Sequence, residues 1–176
     1  MLIRTALPAD AQELALLGER LWRATYTGLI PEANLELHLA ETFGPAQQAA
    51  ELADPANTTM VIENGDALLG YALLRAHGPE AEIPAMPFLR PLEVARFYVD
   101  QTLHGSGAAQ LLMSAVLSRA AASHDSVWLQ VWEQNERAIR FYAKAGFIDA
   151  GDATFGVGEQ VERDRLLVHA LMTRAV

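Results

Sequence analysis

The stretch VWLQVWEQNERAIRFYAKAGF, residues 127–147, contains a strand and then a helix, and this succession decides the fold. Residues 127–132 place valine and leucine on one face and tryptophan and glutamine on the other, which is the period-two pattern of a β-strand. Residues 135–145 are predicted to be a helix, since Gly146 is the residue type that commonly ends one. A strand followed directly by a helix indicates a sheet with helices packed against it.

A second strand–helix unit lies upstream. Residues 92–99 are predicted to be a strand, and residues 108–123 a helix with apolar side chains at helical spacing. The strands on either side of this helix are therefore expected to run parallel, joined by a right-handed crossover. Earlier still, residues 58–63 and 67–75 are rich in β-formers, and Asn64-Gly65-Asp66 between them predicts a hairpin turn.

The remaining segments complete a mixed sheet. Three helices are predicted: one from about Pro8 through Leu21, one over residues 31–43, and a short one that ends at Leu52. Strands are predicted over residues 2–7, 147–155 and 161–173, and a loop with four prolines over residues 78–91. This order predicts an α/β (α+β) fold with a mixed, mostly antiparallel central sheet and helices on both faces. The 176 residues are expected to form a single domain, 1–176.

The composition narrows the set of partners. Thirteen Lys and Arg against 22 Asp and Glu give a net charge of −9, which repels phosphate backbones and attracts cationic substrates. The chain has no cysteine, which excludes disulfides and thiolate chemistry, and its histidines lack metal-ligand spacing. The start, MLIRTALPADAQ, lacks signal-peptide features, and no run of apolar residues is long enough to span a membrane. We expect a cytoplasmic protein without nucleic-acid, membrane or metal partners.

A glycine-bearing turn follows the strand 92–99 and opens the next helix. Its residues are His104, Gly105, Ser106, Gly107, Ala108 and Ala109. Main-chain N–H groups at a helix start have no helical partner, and the helix dipole adds positive charge, so a pyrophosphate is a natural ligand. A tight turn that only lets helix and sheet pack closely explains the same residues equally well. A dinucleotide fingerprint fits less well, because Gln110 stands where its third glycine would be.

Two polar side chains share one face of the helix 135–145. Asn135 and Tyr142 are seven residues apart, about two turns or roughly 10 Å along the axis, with Ala138 between them. Such a face suits a long, thin ligand. The alternative is that Asn135 is only an N-cap and Tyr142 only a core aromatic.

These two segments resemble the GNAT superfamily of N-acetyltransferases. The family's loop pattern, Gln/Arg-x-x-Gly-x-Gly/Ala, corresponds to residues 104–109, with His104 in the first position. Its later pattern, Asn-x-x-Ala-x-x-Phe-Tyr-x-Lys-x-Gly-Phe, is matched in full by residues 135–147. A finer similarity is to the bacterial polyamine (spermidine/spermine-type) N-acetyltransferases, and it rests on 92–99, 127–142, Phe155, Gly158 and Asp164.

The resemblance implies a GNAT-like fold that binds acetyl-CoA, with no metal, in a splay between the parallel strands 92–99 and 127–132. The pantetheine arm would pair with Asn135 and with main chain at Phe97, Tyr98 and Val99, and the diphosphate would bind residues 104–109. A neutral primary amine would attack the thioester directly in a ternary complex. Tyr142 would give a proton to the departing thiolate, which is feasible for a thiol pKa of about 8.5 and a phenol pKa of about 10.

The acceptor ammonium needs a base, because neutralising a group with a pKa of about 10.4 at pH 7 costs about 4–5 kcal/mol. Glu93 is the predicted base, on a strand face shared with Ala95, Phe97 and Val99. A structural or solvated edge carboxylate is an equally good interpretation of Glu93. For the whole chain, a coenzyme A-binding sensor without turnover is the alternative function, and a homodimer is left open.

Overall fold

The computed structural model describes residues 1–77, 87–157 and 160–171. Within them seven strands form one sheet in the order β1-β2-β3-β4-β5-β7-β6. The strands are β1 (Leu2–Thr5), β2 (Asn57–Asn64), β3 (Ala67–Ala76), β4 (Pro91–Val99), β5 (Ser126–Trp132), β6 (Ile148–Val157) and β7 (Gln160–Ala170). The helices are α1 (Ala11–Tyr26), α2 (Glu32–Thr42), α3 (Pro45–Ala53), α4 (Ala108–Ala120) and α5 (Glu136–Lys144). Only β4 and β5 pair in parallel among these strands, so the predicted mixed, mostly antiparallel sheet is confirmed.

The ends of several elements differ from the predicted ones by a few residues. α4 stops at Ala120, because Ser123 N–H bonds to the carbonyl three residues back, in a turn. β4 begins at Pro91, inside the predicted loop, since proline is tolerated as the first residue of a strand. Positions 78–86 of that loop, Gly158, and positions 172 and 173 of the last predicted strand lie outside the described residues.

Helices cover both faces of the sheet, as predicted. On one face, α4 and α5 bury Leu112 and Tyr142 against Ala72 of β3. On the other face, α1 packs Leu14 against Tyr71 of β3. Because side chains alternate along a strand, each residue of β4 and β5 belongs to one of these two helical layers.

The central strands β4 and β5 separate along their length. They pair over only three residues, Pro91–Glu93 with Ser126–Trp128. Beyond that point β4 continues beside β3 to Val99, and β5 continues beside β7 to Trp132. The main-chain groups of residues 94–99 that face β5 have no strand partner, and such groups require a hydrogen-bonding partner. The predicted splay is confirmed.

β4 contains a bulge at Ala95. Its register with β3 passes from Val94 opposite Leu74 to Arg96 opposite Leu73, so Ala95 has no opposite residue. A bulge of this kind bends the strand and increases its local twist. It lies two residues beyond the last β4–β5 pair, where the two strands begin to part.

The bulge also reverses the side-chain alternation beyond it. Val94 and Phe97, three residues apart, both pack in the α4/α5 layer, and Tyr98 packs in the α1 layer. Glu93, next to Val94, therefore points to the α1 side. The prediction that Glu93 shares a face with Phe97 and Val99 is wrong, because it assumed an unbroken period of two.

The close approach of β3 and β4 leaves no room for a side chain at Gly70. A Cβ there would lie 2.9 Å from the Tyr98 carbonyl oxygen and 3.3 Å from Val99 Cα. We expect Gly70→Ala to lower the free energy of unfolding by about 1–3 kcal/mol, as overpacking does, when measured by urea denaturation. Gly156→Ala is the matched control, since its Cβ would meet nothing within 4 Å. Equal stability of the two variants would contradict the close approach.

Candidate active site

A cavity of about 540 Å³ fills the opening between β4 and β5. Its walls include Trp22 and Tyr26 of α1 on one side, and Asn135 and Tyr142 at α5 on the other. Residues 93–99 of β4 lie between these walls. The cavity therefore passes through the sheet, so two reactants can meet from opposite faces.

The turn between β4 and α4 presents free main-chain donors. Gly105 and Gly107 have φ angles of 79° and 85°, a region that favours glycine. The hydroxyl of Ser106 accepts a hydrogen bond from Ala108 N at 3.2 Å. Within the described residues no acceptor is found for four further N–H groups, those of Gly105, Gly107, Ala109 and Gln110. Such a group of donors at the start of a helix forms an anion-binding concavity.

Asp100 ties this turn to the end of β4. Its N–H donates to the Leu69 carbonyl at 2.8 Å. Its carboxylate accepts from Thr102 N at 2.9 Å and from Thr102 Oγ1 at 2.7 Å, and it pairs with Arg20. Burial opposes ionisation, but these hydrogen bonds and Arg20 outweigh it and lower the pKa of Asp100 to about 2. The carboxylate is therefore ionised at neutral pH and holds the turn in place.

Asn135 begins α5 and caps it. Its Oδ1 accepts from Ala138 N at 3.1 Å, so the capping interpretation is confirmed. The amide NH₂ of the same side chain takes no part in that bond, and Asn135 lines the cavity. Capping and ligand binding can therefore use different atoms of one side chain.

Tyr142 is both a core residue and a cavity residue. Its ring packs edge-on against Phe97, Phe141 and Phe147, with centroids 6.1, 5.3 and 5.6 Å away. Burial, with a smaller contribution from Tyr98, raises the pKa of its hydroxyl above the usual value. The phenol thus keeps its proton at neutral pH and can act as a donor.

The structure brings most of the predicted site residues to this one cavity. Those that line it are Glu93, Phe97, Tyr98, Val99, His104, Ala109, Asn135 and Tyr142. The other four, Gly105, Ser106, Gly107 and Ala108, form the turn that joins His104 to Ala109. The residues predicted to bind the acetyl donor, acetyl-CoA, therefore lie together, and the part of the cavity that they form is called the donor side.

Glu93 is held by basic neighbours. It lies where β4 and β5 still pair, opposite Trp128. His77 Nε2 is 2.8 Å from its Oε2, and Arg75 Nη1 is 3.5 Å from the same oxygen. This arrangement agrees with the structural interpretation of Glu93, and its role as a base stays a prediction.

Asp164 is a cavity residue to which the sequence pattern assigned no role. It lies on β7 opposite Trp132 and is only 7% exposed. Burial, followed by two neighbouring glutamates, raises its pKa to about 6. The available sequence signal was alternation, since Asp164 stands two residues before the buried Leu166 and so occupies an inward position of its strand.

Residues 19–147 match the model of the acetyltransferase (GNAT) family. The chain belongs to the GNAT acetyltransferase family. An uncharacterized N-acetyltransferase of Mycobacterium tuberculosis is 34% identical over 168 residues, which cover 93% of this chain and 99% of that protein. A counterpart in Mycobacterium bovis gives the same figures. The predicted family is confirmed, and the chain is an acetyl-CoA-dependent acyltransferase.

Solved structures share the fold of this GNAT chain. The PaiA N-acetyltransferase of Thermoplasma acidophilum, solved in complex with coenzyme A, has a TM-score of 0.75 at 20% identity, with 96% of this chain and 98% of that chain covered. The ribosomal-protein-S18-alanine N-acetyltransferase of Escherichia coli has a TM-score of 0.68 at 12% identity, with 97% and 93% covered. At these identities the likeness establishes the fold alone.

Residues 1–77, 87–157 and 160–171 contain neither a metal-ligating cluster nor a membrane-spanning helix. In that part of the GNAT chain, no three or more His, Asp or Glu side chains are grouped to hold a metal ion. None of the helices found there combines the length and the apolar character needed to cross a bilayer.

A side chain at Gly107 tests whether the turn formed by residues 104–109 of this GNAT chain binds an anion. Gly107→Val would cover the neighbouring N–H groups, so coenzyme A affinity, measured by calorimetry, is expected to fall about 10-fold or more, the equivalent of one charge-assisted hydrogen bond. Gly65→Val is the matched control. Gly65 also has a positive φ, 64°, with open space around its Cβ, and lies outside the cavity. Unchanged affinity in Gly107→Val would show that the turn does not hold the diphosphate.

Proposed function

We propose that the acceptor of this acyltransferase is a small primary amine, polyamines included, which attacks acetyl-CoA directly in a ternary complex. One observation carries the proposal, the cavity that passes through the sheet. On one side it offers free N–H groups and Tyr142, and on the other it is lined by carboxylates and aromatic rings. An anionic donor and a cationic acceptor suit these two sides.

The donor side fits coenzyme A part by part. The free N–H groups of residues 105–110 suit the diphosphate, with His104 beside them. The open edge of β4 at 97–99 offers main-chain groups to the amides of the pantetheine arm. The unused NH₂ of Asn135 is a further donor for that arm. When bound, acetyl-CoA supplies an activated carbonyl at a carbon–sulfur bond.

Tyr142 is the proposed proton donor to the departing sulfur. Three phenylalanine rings fix its position, so the hydroxyl does not need to be ordered during the reaction. Its raised pKa keeps the proton in place until the thiolate forms. A positioned general acid of this kind contributes on the order of 10²–10⁴-fold to the rate.

The side of the cavity toward α1, called the acceptor side because the amine would bind there, suits a cation. Glu93, Glu162 and Asp164 line it. Tyr26 and Trp132 also line it, with ring centroids 6.0 Å apart. Ammonium groups are attracted by carboxylates and by the faces of aromatic rings. Arg96 also lines the cavity, but its guanidinium is paired with Glu51. The three carboxylates therefore favour an amine with more than one positive charge, and this observation supports a polyamine.

Membership of the acetyltransferase family argues against the alternative that the sequence left open, a coenzyme A-binding sensor without turnover. A sensor would use the donor side only. The buried phenol of Tyr142 and the carboxylates of the acceptor side would then have no chemical role, and for this reason transfer is the better-supported function.

Thiol release from acetyl-CoA separates these two functions. The purified chain is incubated with a panel of alkylamines, polyamines and amino acids, and N-acetylated products are identified by mass spectrometry. We expect release that depends on at least one primary amine. Coenzyme A binding without release for any amine would favour the sensor.

Removal of one hydroxyl tests Tyr142. Tyr142→Phe is expected to lower kcat about 100-fold, the usual size of a general-acid contribution, with little change in acetyl-CoA affinity measured by calorimetry. Tyr71→Phe is the matched control, because Tyr71 is also a buried phenol but lies outside the cavity lining. An unaltered rate in Tyr142→Phe under single-turnover conditions would remove Tyr142 from the mechanism.

A further inference from the structure

We propose that Asp164 receives the proton of the acceptor ammonium and is the base of the transfer reaction. This inference rests on the proposed function, because Asp164 lies on its acceptor side. It takes the role that the sequence had predicted for Glu93, which remains as a structural carboxylate at the closed end of the opening.

Asp164 faces the acceptor side of the cavity. Directly opposed residues of antiparallel strands point to the same face, so Asp164 shares a face with Trp132, its partner on β5. The Trp132 ring lies 6.0 Å from that of Tyr26, between centroids, and Tyr26 belongs to α1. Asp164 is therefore on the α1 side, while Tyr142 reaches the same cavity from α5 on the opposite face.

Asp164 is the carboxylate of the cavity that has no partner. Glu93 Oε2 lies 2.8 Å from His77 Nε2, and Glu162 accepts a hydrogen bond from Trp132 Nε1 at 3.2 Å. No described residue forms a hydrogen bond or an ion pair with the Asp164 carboxylate, although it is only 7% exposed. Burial without a partner makes the charge of a carboxylate costly, and a cationic hydrogen-bond donor in the cavity would offset that cost.

The surroundings of Asp164 increase its affinity for a proton. The charged and titratable groups around it are Glu162 on β7, Glu133 after β5, Tyr26 on α1, Glu93, Arg96 and Tyr98 on β4, and Arg137 and Tyr142 on α5. Burial first, and then Glu162 and Glu133, raise its pKa to about 6. Such a carboxylate binds a proton on the order of 100-fold more tightly than an ordinary aspartate, and it is still mostly ionised at pH 7.

The proposed reaction releases one net proton. The Asp164 carboxylate takes a proton from R–NH₃⁺, the freed nitrogen bonds to the thioester carbonyl carbon, and the carbon–sulfur bond breaks. Tyr142 gives its proton to the sulfur, and its phenolate regains one from the nitrogen, which is left as the amide N–H. Asp164 then releases its proton to solvent.

The first test compares Asp164→Asn with the wild-type chain, using butylamine, spermidine and 2-phenylethylamine as acceptors. We expect kcat/KM to fall about 100-fold, the usual contribution of a general base, while acetyl-CoA affinity measured by calorimetry is unchanged. Wild-type kcat/KM is expected to decline as pH falls through about 6, because the base must be ionised, and Asp164→Asn should lack this decline. Asp66→Asn removes the same charge from the exposed hairpin turn and should behave as wild type.

The second test separates proton transfer from charge binding. In 2,2-difluorobutylamine and β,β-difluoro-2-phenylethylamine, the fluorines lower the pKa of the ammonium, so less help from a base is required. The decrease in kcat/KM caused by Asp164→Asn is expected to be about 10-fold smaller for these fluorinated amines than for butylamine and 2-phenylethylamine. An equal loss for both kinds of amine would assign Asp164 to binding alone and overturn its role as the base.

The Glu93→Gln variant tests whether Glu93, and not Asp164, is the base. If Asp164→Asn keeps the wild-type kcat/KM and its decline near pH 6, the inference is overturned, and loss of that decline in Glu93→Gln would assign the base to Glu93. Failure of the proposed function looks different, because the wild-type chain itself would then release no thiol with any of the amines.

Discussion

The chemistry of the chain depends on the point at which β4 stops pairing with β5. Three residues of each strand pair, and then β4 follows β3 while β5 follows β7. An unpaired strand edge inside a protein is normally avoided, because its N–H and C=O groups need partners. Here the unpaired edge is confined to residues 94–99, and it forms one side of the passage through the sheet.

Several local features keep this passage in shape. The bulge at Ala95 bends β4 where it leaves β5, and Asp100 fixes the following turn through Thr102, Arg20 and the Leu69 carbonyl. Two helical layers, one on each face of the sheet, contribute residues to the passage. Tyr142 lies in the α4/α5 layer and Asp164 faces the α1 layer, so the two groups proposed to give and to take a proton lie on opposite faces of the sheet.

The order of elements and the positions of the donor-side residues could be predicted, because their signals lie within short stretches of sequence. A glycine pair before a helix, an asparagine at a helix start and alternating strands are local signals. The face of Glu93 could not be predicted, since Ala95 carries no turn signal and a bulge depends on pairing with β3. The role proposed for Asp164 was also hidden, because burial without a partner is a tertiary property and acidic residues in strands usually face solvent.

A crystal structure with coenzyme A bound tests the role of the opening most directly. We predict diphosphate oxygens within about 2.7–3.2 Å of the main-chain nitrogens of Gly107 and Ala109, which is hydrogen-bond distance. The sulfur should lie between β4 and β5, beside the Tyr142 hydroxyl. Coenzyme A bound outside the opening, or β4 and β5 paired along their full length with the ligand present, would contradict this role.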